Sequence, residues 1–235
     1  MTELVILNAP VVSLIDHMGS DRSVTRAARV SLQGLNEEEK AAAKEQGLIN
    51  YLMKNRHGSP FEHAVCTFYV KGPIFTFREF MRHRMAGYNE RSGRYSVLPA
   101  EFYLPSPDRP LVNIGTSAAP EFGPGTPEQY ERYIARMMAL MEHAWQVYED
   151  NLADGIANEM SRLAHLVNLC SEMYVTINLR SLMNFLSLRI DSPDSLVRSR
   201  PQYEIQQCAE LMEAAFAEHY PMVHAAFVAN QRVAP

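Results

Sequence analysis

Strand-like periods are concentrated in the first hundred residues of this chain and helical ones dominate the rest, and that arrangement decides which folds are open to it. Val5-Ile6-Leu7, Val11 to Ile15 and Ala64 to Val70 have the β-branched and aromatic texture of strands, with Asn8-Ala9-Pro10 as a turn and Lys71-Gly72-Pro73 as a stop. Glu101 to Leu104 is a further short strand candidate. Beyond it the period is helical. Thr126-Pro127-Glu128-Gln129 combines cap, first-turn proline and box partner, and opens a long helix with an apolar stripe of Tyr130, Ile134, Met137, Met141, Tyr148 and Leu152. Further helices are expected over Asn158–Asn168, Leu179–Ile190 and Gln202–Tyr220. An earlier one starts at Asn36, with Glu39 as its box partner, and runs through Leu48, Leu52 and Met53.

Strands gathered in the first hundred residues, with helices after them, exclude the regular βαβ alternation of a doubly wound sheet. Neither a Gly-x-Gly-x-x-Gly loop nor a Gly-Lys-Ser/Thr loop is present. The expected fold is α+β: a helix-rich single domain over residues 1–235, with a small, mostly antiparallel sheet formed by the N-terminal half. Seven of the fourteen prolines fall between Pro99 and Pro127, a stretch that reads as loop and not as a domain boundary. A chain of this length buries roughly 70–75% of its unfolded surface, enough to hold a recessed site.

Charge narrows the function. The chain carries 22 Lys+Arg against 27 Asp+Glu, a balance of −5 that argues against a general nucleic-acid coat. Residues 78–94 reverse that sign, with Arg78, Arg82, Arg84, Arg91 and Arg94 against Glu79 and Glu90. Arg78 and Arg82 are four apart on a helical face opposite Phe77, Phe80 and Met81. Arginine offers a permanently charged planar fork that matches phosphate oxygens and lies against aromatic rings, so the window points to a phosphate joined to a planar ring. Gly87 and Gly93 would let backbone amides approach an anion. Charge alone also fits a solvated helix face.

The order of residues here is more informative. Arg82-His83-Arg84, seven residues and then Ser92, in the run RHRMAGYNERSGRYS, resembles the signature of the flavin-dependent thymidylate synthases. DRSVTRAARVS, HGSPFEHAVCTFYVKGPIF and NLRSLMNFLSLR resemble further blocks of that family, in order. The resemblance implies reductive methylation of dUMP to dTMP, with methylenetetrahydrofolate as one-carbon donor and NADPH as reductant through FAD. It also implies a homotetramer with sites shared between chains; the cysteine usage fits a cytoplasmic protein, and charge and hydropathy give no nucleic acid or membrane as partner.

By the same resemblance FAD meets His57, Ser59, Glu62, Arg82, His83, Arg84 and Glu90, together with Asn178, Leu179, Arg180 and Asn184, these last presumed to come from a neighbouring chain. The nucleotide meets Glu90, Arg91, Ser92, Gly93 and Arg94, with Glu79, Arg82, Arg162 and Arg189 completing its pocket. Arg189 takes the catalytic part, a fixed positive charge beside the uracil imide. At about 100° per residue, Arg180, Asn184, Ser187 and Asp191 share one stripe while Arg189 lies about 180° from Arg180, so the helix is expected to address two places. Ser92 reads as a hydrogen-bonding ligand, since no histidine–carboxylate relay accompanies it.

Cys66, Cys170 and Cys208 are too far apart for a dithiol or zinc motif, and none stands in the Pro-Cys-His setting of the classical thymidylate synthases. No catalytic metal is expected, because His57 with His63 is weak ligand spacing and no His-Glu-x-x-His run occurs. No cationic leader or apolar span is read at the N-terminus, where Arg22 is the first Lys or Arg. Two departures from the family pattern stand out. Gly87 replaces a frequent serine, and residues 192–201 look inserted where relatives place a flavin-contacting histidine. Arg198 or Arg200 would replace that contact, or the loop projects into solvent. Two rival readings remain, a single-strand binding module built on the Arg-Tyr segment and a flavoprotein oxidase without methyl transfer.

Overall fold

The computed structural model describes residues 2–34 and 41–235. The strands are β1 (Val5–Leu7), β2 (Val11–Met18), β3 (Val65–Pro73), β4 (Ala86–Glu90), β5 (Glu101–Tyr103), β6 (Val112–Asn113), β7 (Phe122–Gly123) and β8 (Cys170–Asn178). The helices are α1 (Asp21–Gln33), α2 (Ala42–Lys54), α3 (Ile74–Phe80), α4 (Pro127–Ala153), α5 (Asn158–Ser161), α6 (Leu179–Arg189), α7 (Tyr203–His219) and α8 (Pro221–Ala229). Short 3-10 turns cover Ser59–His63 and Arg162–Ala164. The expected start at Asn36 and Glu39 lies outside the described residues. Among the described helices, none is long and apolar enough to cross a membrane.

Contacts divide the chain into two compact units. The first comprises Met1–Pro10, Lys71–Phe77 and Glu90–Glu172. Its β1 and β5 pair in parallel, Val5 opposite Glu101 and Leu7 opposite Tyr103, while β6 and β7 form a small antiparallel pair. The long helix α4 begins as read: Thr126 Oγ1 accepts from Gln129 N at 3.2 Å and Gln129 Oε1 accepts from Thr126 N at 2.8 Å. Met141 and Tyr148 of its stripe are fully buried with Phe102, Leu104 and Leu169.

The second unit comprises Val11–Val70, Arg78–Asn89 and Met173–Pro235. The strand order is β2-β3-β8-β4, which makes β2 and β4 edges. Burial alternates along β3, with Cys66, Phe68 and Val70 facing the core, and along β8, with Met173, Val175 and Ile177 doing the same. Helices α6 and α7 pack together, and α7 packs on β2. Asp21, at the start of α1, accepts from the backbone N–H groups of Met222 and Val223, so its carboxylate caps the free amides of α8.

Three expectations change and one, the mostly antiparallel sheet, holds. The sheet is not made by the N-terminal half alone, because β8 is an inner strand drawn from the C-terminal half. The alternation of apolar Met173, Val175 and Ile177 with Tyr174 and Thr176 is the signal for it. The sheet is mostly antiparallel, but the β1–β5 pair is parallel. The helix read over Asn158–Asn168 is confined to Asn158–Ser161 and a 3-10 turn. Finally, α3 stops at Phe80, so Met81 is 44% exposed instead of packing with Phe77, and Arg82 belongs to a turn instead of sharing a helical face with Arg78.

Candidate functional site

Each unit contains an arginine-lined hollow. In the second unit a cleft of about 550 Å³ is walled by Arg82, His83 and Arg84 on one side and by Arg180, Asn184 and Arg189 of α6 on the other. The turn after α3 has a clear physical basis. Phe80 is buried and stacks on Phe185 at 5.1 Å, which anchors the end of α3. The Tyr88 hydroxyl then lies 2.6 Å from the Phe80 carbonyl oxygen and 2.8 Å from that of His83, and can donate to either. The three side chains of the turn are thereby presented by a backbone held at both ends.

His83 packs edge-on against Phe185, and its Nε2 accepts from Arg189 Nε at 3.1 Å. Burial, with the Arg189 charge adding to it, pulls His83 down to about 4, so the ring is neutral at physiological pH. Arg189 is held a second time by Glu79, Nη1 to Oε2 at 2.9 Å. Arg180 is held by Glu62 at 2.7 Å and donates through Nε to the Pro235 carbonyl oxygen at 2.8 Å. A Cβ on Gly58 would come within 2.6 Å of Arg180 Cζ and 2.9 Å of the Pro235 oxygen, so residue 58 must be glycine for this clamp to close. Among the described residues, no hydrogen bond or ion pair engages the guanidinium of Arg82 or Arg84, and both are exposed.

In the first unit a pocket of about 470 Å³ is lined by Glu90, Arg91, Ser92, Gly93, Arg162 and His165. Burial pushes the Glu90 carboxyl up, and the nearby Ser171 side chain partly offsets that. The loop is shaped by Ser92, whose hydroxyl accepts from Arg94 N at 3.2 Å and whose carbonyl accepts from Ser96 N at 3.3 Å. Gly93 is tightly enclosed, since a Cβ there would lie 3.2 Å from Leu98 Cδ1. Arg91 is 3.8 Å from Glu172, and Arg162 Nε is 3.4 Å from the Glu159 carbonyl oxygen.

The residues expected in the site divide accordingly. Glu62, Arg82, His83, Arg84, Arg180, Asn184 and Arg189 line the cleft; Glu90, Arg91, Ser92, Gly93 and Arg162 line the pocket. Glu79 reaches the cleft only through Arg189. Arg94 lines neither: it pairs with Glu159 at 3.2 Å and lies over Tyr95. His57 and Ser59 are exposed outside the cleft, His57 edge-on to Tyr51. Asn178 accepts from Ser181 N as the cap of α6, and Leu179 is buried, so both support the helix instead of lining its cleft.

Arg180 and Arg189 also share one cleft where helix geometry separates them. Their long side chains are drawn inward by Glu62 and the Pro235 carbonyl at one end of α6, and by Glu79 and His83 at the other. Neither Arg198 nor Arg200 lines the cleft. Arg198 makes a two-point pair with Asp191, at 2.5 and 2.8 Å, which turns it away. Sequence reasoning missed His165 and the cleft wall made by Ala234 and Pro235. The only advance signal for His165 is its place three residues after Arg162.

The thiols contribute no nucleophile. Cys66, Cys170 and Cys208 are all buried and free, and burial pushes Cys66 and Cys170 up to about 12 and Cys208 higher still.

Residues 13–222 match the family described as "Thymidylate synthase complementing protein". A flavin-dependent thymidylate synthase from Tropheryma whipplei is 48% identical over 233 residues, covering 98% of this chain and 97% of that protein. Its counterpart from Streptomyces coelicolor is 48% identical over 228 residues, covering 95% and 93%. Among solved structures, the UMP/dUMP methylase PolB from Streptomyces cacaoi bound with 5-Br dUMP superposes with a TM-score of 0.94 at 41% identity, over 99% of this chain and 100% of that one.

Proposed function

The chain belongs to the family of flavin-dependent thymidylate synthases, and on that footing we propose that it methylates dUMP to dTMP reductively, with methylenetetrahydrofolate as one-carbon donor and NADPH as reductant. FAD is the cofactor, and when bound it carries the reducing equivalents. The observation that supports this reading most directly is the cleft, where two unengaged guanidiniums, Arg82 and Arg84, stand opposite Arg180 and Asn184. A dianionic diphosphate joined to a planar ring matches that donor set. The cysteines add independent support, because a methylation without a thiolate nucleophile needs none of them ionised.

The chain's own residues then have these parts. Arg82, His83, Arg84, Arg180, Asn184 and Glu62 bind the cofactor, with His57, Ser59, Asn178 and Leu179 in the shell around it. Glu90, Arg91, Ser92, Gly93, Arg94 and Arg162 bind the nucleotide, together with Glu79, Arg82 and Arg189, and Glu90 also serves the cofactor. Arg189 is the catalytic residue. Glu79 and neutral His83 hold its guanidinium in place, so its charge is available to stabilise negative charge on the uracil imide without reorganising. Ser92 donates a hydrogen bond to substrate and forms no covalent bond.

The 235 residues work as one enzyme domain, assembled in the cytoplasm as a homotetramer in which cofactor and nucleotide residues meet across chains. The edge position of β2, with Val11, Ile15 and Met18 about half exposed, supports such an assembly. The test is a reconstitution. Protein loaded with FAD and desalted should keep its flavin absorbance and form dTMP from dUMP, methylenetetrahydrofolate and NADPH. A desalted protein without flavin, or one that oxidises NADPH without forming dTMP, would overturn the reading. UMP run in parallel decides whether the ribonucleotide is also methylated, as the name of the Streptomyces cacaoi structure says of that enzyme.

A further inference from the structure

Among the polar residues lining the pocket, His165 is the one whose role the family reading leaves open. It follows the 3-10 turn that begins at Arg162, and its N–H donates to the Arg162 carbonyl oxygen at 3.0 Å. The ring is braced by α4: it is parallel to the Trp145 indole, 8° apart with centroids at 5.9 Å, and tilted against Tyr148 at 4.4 Å. Packing of that kind would be satisfied equally by leucine or phenylalanine. A histidine brings two nitrogens, and neither is hydrogen bonded to another described residue. Nε2 is shut off from solvent, so the nitrogen that can meet a ligand is Nδ1, which is not among the enclosed atoms. A half-buried polar ring without partners costs stability, and such groups persist where a ligand supplies a hydrogen bond.

The surroundings indicate what that ligand group is. Arg91 and Arg162 supply the positive charge of this pocket, and Ser92 its hydroxyl. The imidazole stays uncharged there, since burial and the Arg162 charge bring it to about 4. An uncharged ring beside two guanidiniums adds little to phosphate binding, but it can donate to or accept from a neutral polar group. We propose that His165 is a nucleotide-contacting residue that hydrogen bonds an uncharged part of the substrate, sugar or uracil edge, while Arg91 and Arg162 take the phosphate. The inference rests on the nucleotide reading of this pocket given above.

Calorimetric titration of the FAD-loaded protein tests it with three probes: dUMP, deoxyuridine and inorganic phosphate. His165→Leu should weaken dUMP and deoxyuridine by about tenfold or more and leave phosphate unchanged. His165→Asn, which keeps a hydrogen-bonding group, should recover part of the loss. Unchanged dUMP affinity in His165→Leu would overturn the proposal, and so would a parallel loss of phosphate affinity or a leucine variant no worse than the asparagine one. Melting curves of both variants guard against a folding defect, since a merely unfolded fraction would weaken all three probes alike. Ser92→Ala and Arg162→Ala separate the two levels of inference. If they weaken dUMP while His165→Leu does not, His165 alone is misassigned; if they too are silent, the nucleotide is not bound here.

Discussion

The two hollows are built from the same residue type and differ in how it is held. The cleft sets two unengaged arginines, Arg82 and Arg84, beside two firmly clamped ones, whereas the pocket's arginines are only loosely engaged. In the cleft, Arg189 has two partners, Glu79 at 2.9 Å and His83 at 3.1 Å, and its side chain is only 17% exposed. Arg180 likewise has two, Glu62 and the Pro235 carbonyl. In the pocket, Arg91 is 3.8 Å from Glu172 with both side chains about a third exposed, and Arg162 Nε makes a long contact of 3.4 Å. Exposed pairs of that kind contribute about 0–1 kcal/mol and yield easily. A catalytic charge gains from being fixed before substrate arrives, because no reorganisation is then needed in the transition state. Side chains that close on a substrate phosphate need the opposite property, freedom to move onto it.

The sharpest way to break this comparison is Arg189→Ala. It should lower dTMP formation by about 100-fold or more while flavin retention changes by no more than about threefold. Equal loss of both, measured by single-turnover assay and flavin absorbance, would place Arg189 with the cofactor residues. Next in size is Gly58→Ala, whose new methyl group must displace the Arg180 clamp. Flavin affinity should fall by about tenfold, with dUMP binding to the pocket intact. A variant that binds flavin normally would show that the clamp is not needed.

The smallest effect compares one histidine from each region. His83 and His165 both sit at about 4, below their ordinary 6.5. The unfolded chain therefore binds more protons than the folded one between those values, so stability present above pH 6.5 is lost as pH falls towards 4. Melting temperatures should drop across that window. His83→Asn and His165→Leu should each flatten part of the slope, and a slope unchanged in both would locate the acid sensitivity elsewhere.

How much of this was legible beforehand depends on where the determining partner lies. The start of α4 is written locally in Thr126, Pro127 and Gln129, and the core residues Met141 and Tyr148 follow from a 3.6-residue period. The Arg82-His83-Arg84 turn was legible as a motif, but its end of helix was not, because Tyr88 and Phe185 fix it from outside the window. The strand β8 was missed although Met173 to Ile177 alternates, because no Gly or Pro marks its end and Asn178 leads straight into the helix that follows. His165 and the Pro235 carbonyl matter through partners far away in sequence, Trp145 for one and Arg180 for the other, and periodicity carries no trace of such pairings.

Asn178 ends β8 and caps α6 in the same residue, and Leu179 N donates to the Ala64 carbonyl oxygen at 3.0 Å, beside the start of β3. The front of α6 is thus welded to the sheet, whereas its far end runs into the ten residues 192–201, which have no regular structure. Extra length is therefore absorbed on one side of this helix and not on the other. A spacer peptide spliced between 196 and 197, two exposed side chains, should be borne without harm, while a single residue spliced between 178 and 179 would rotate every side chain that α6 presents.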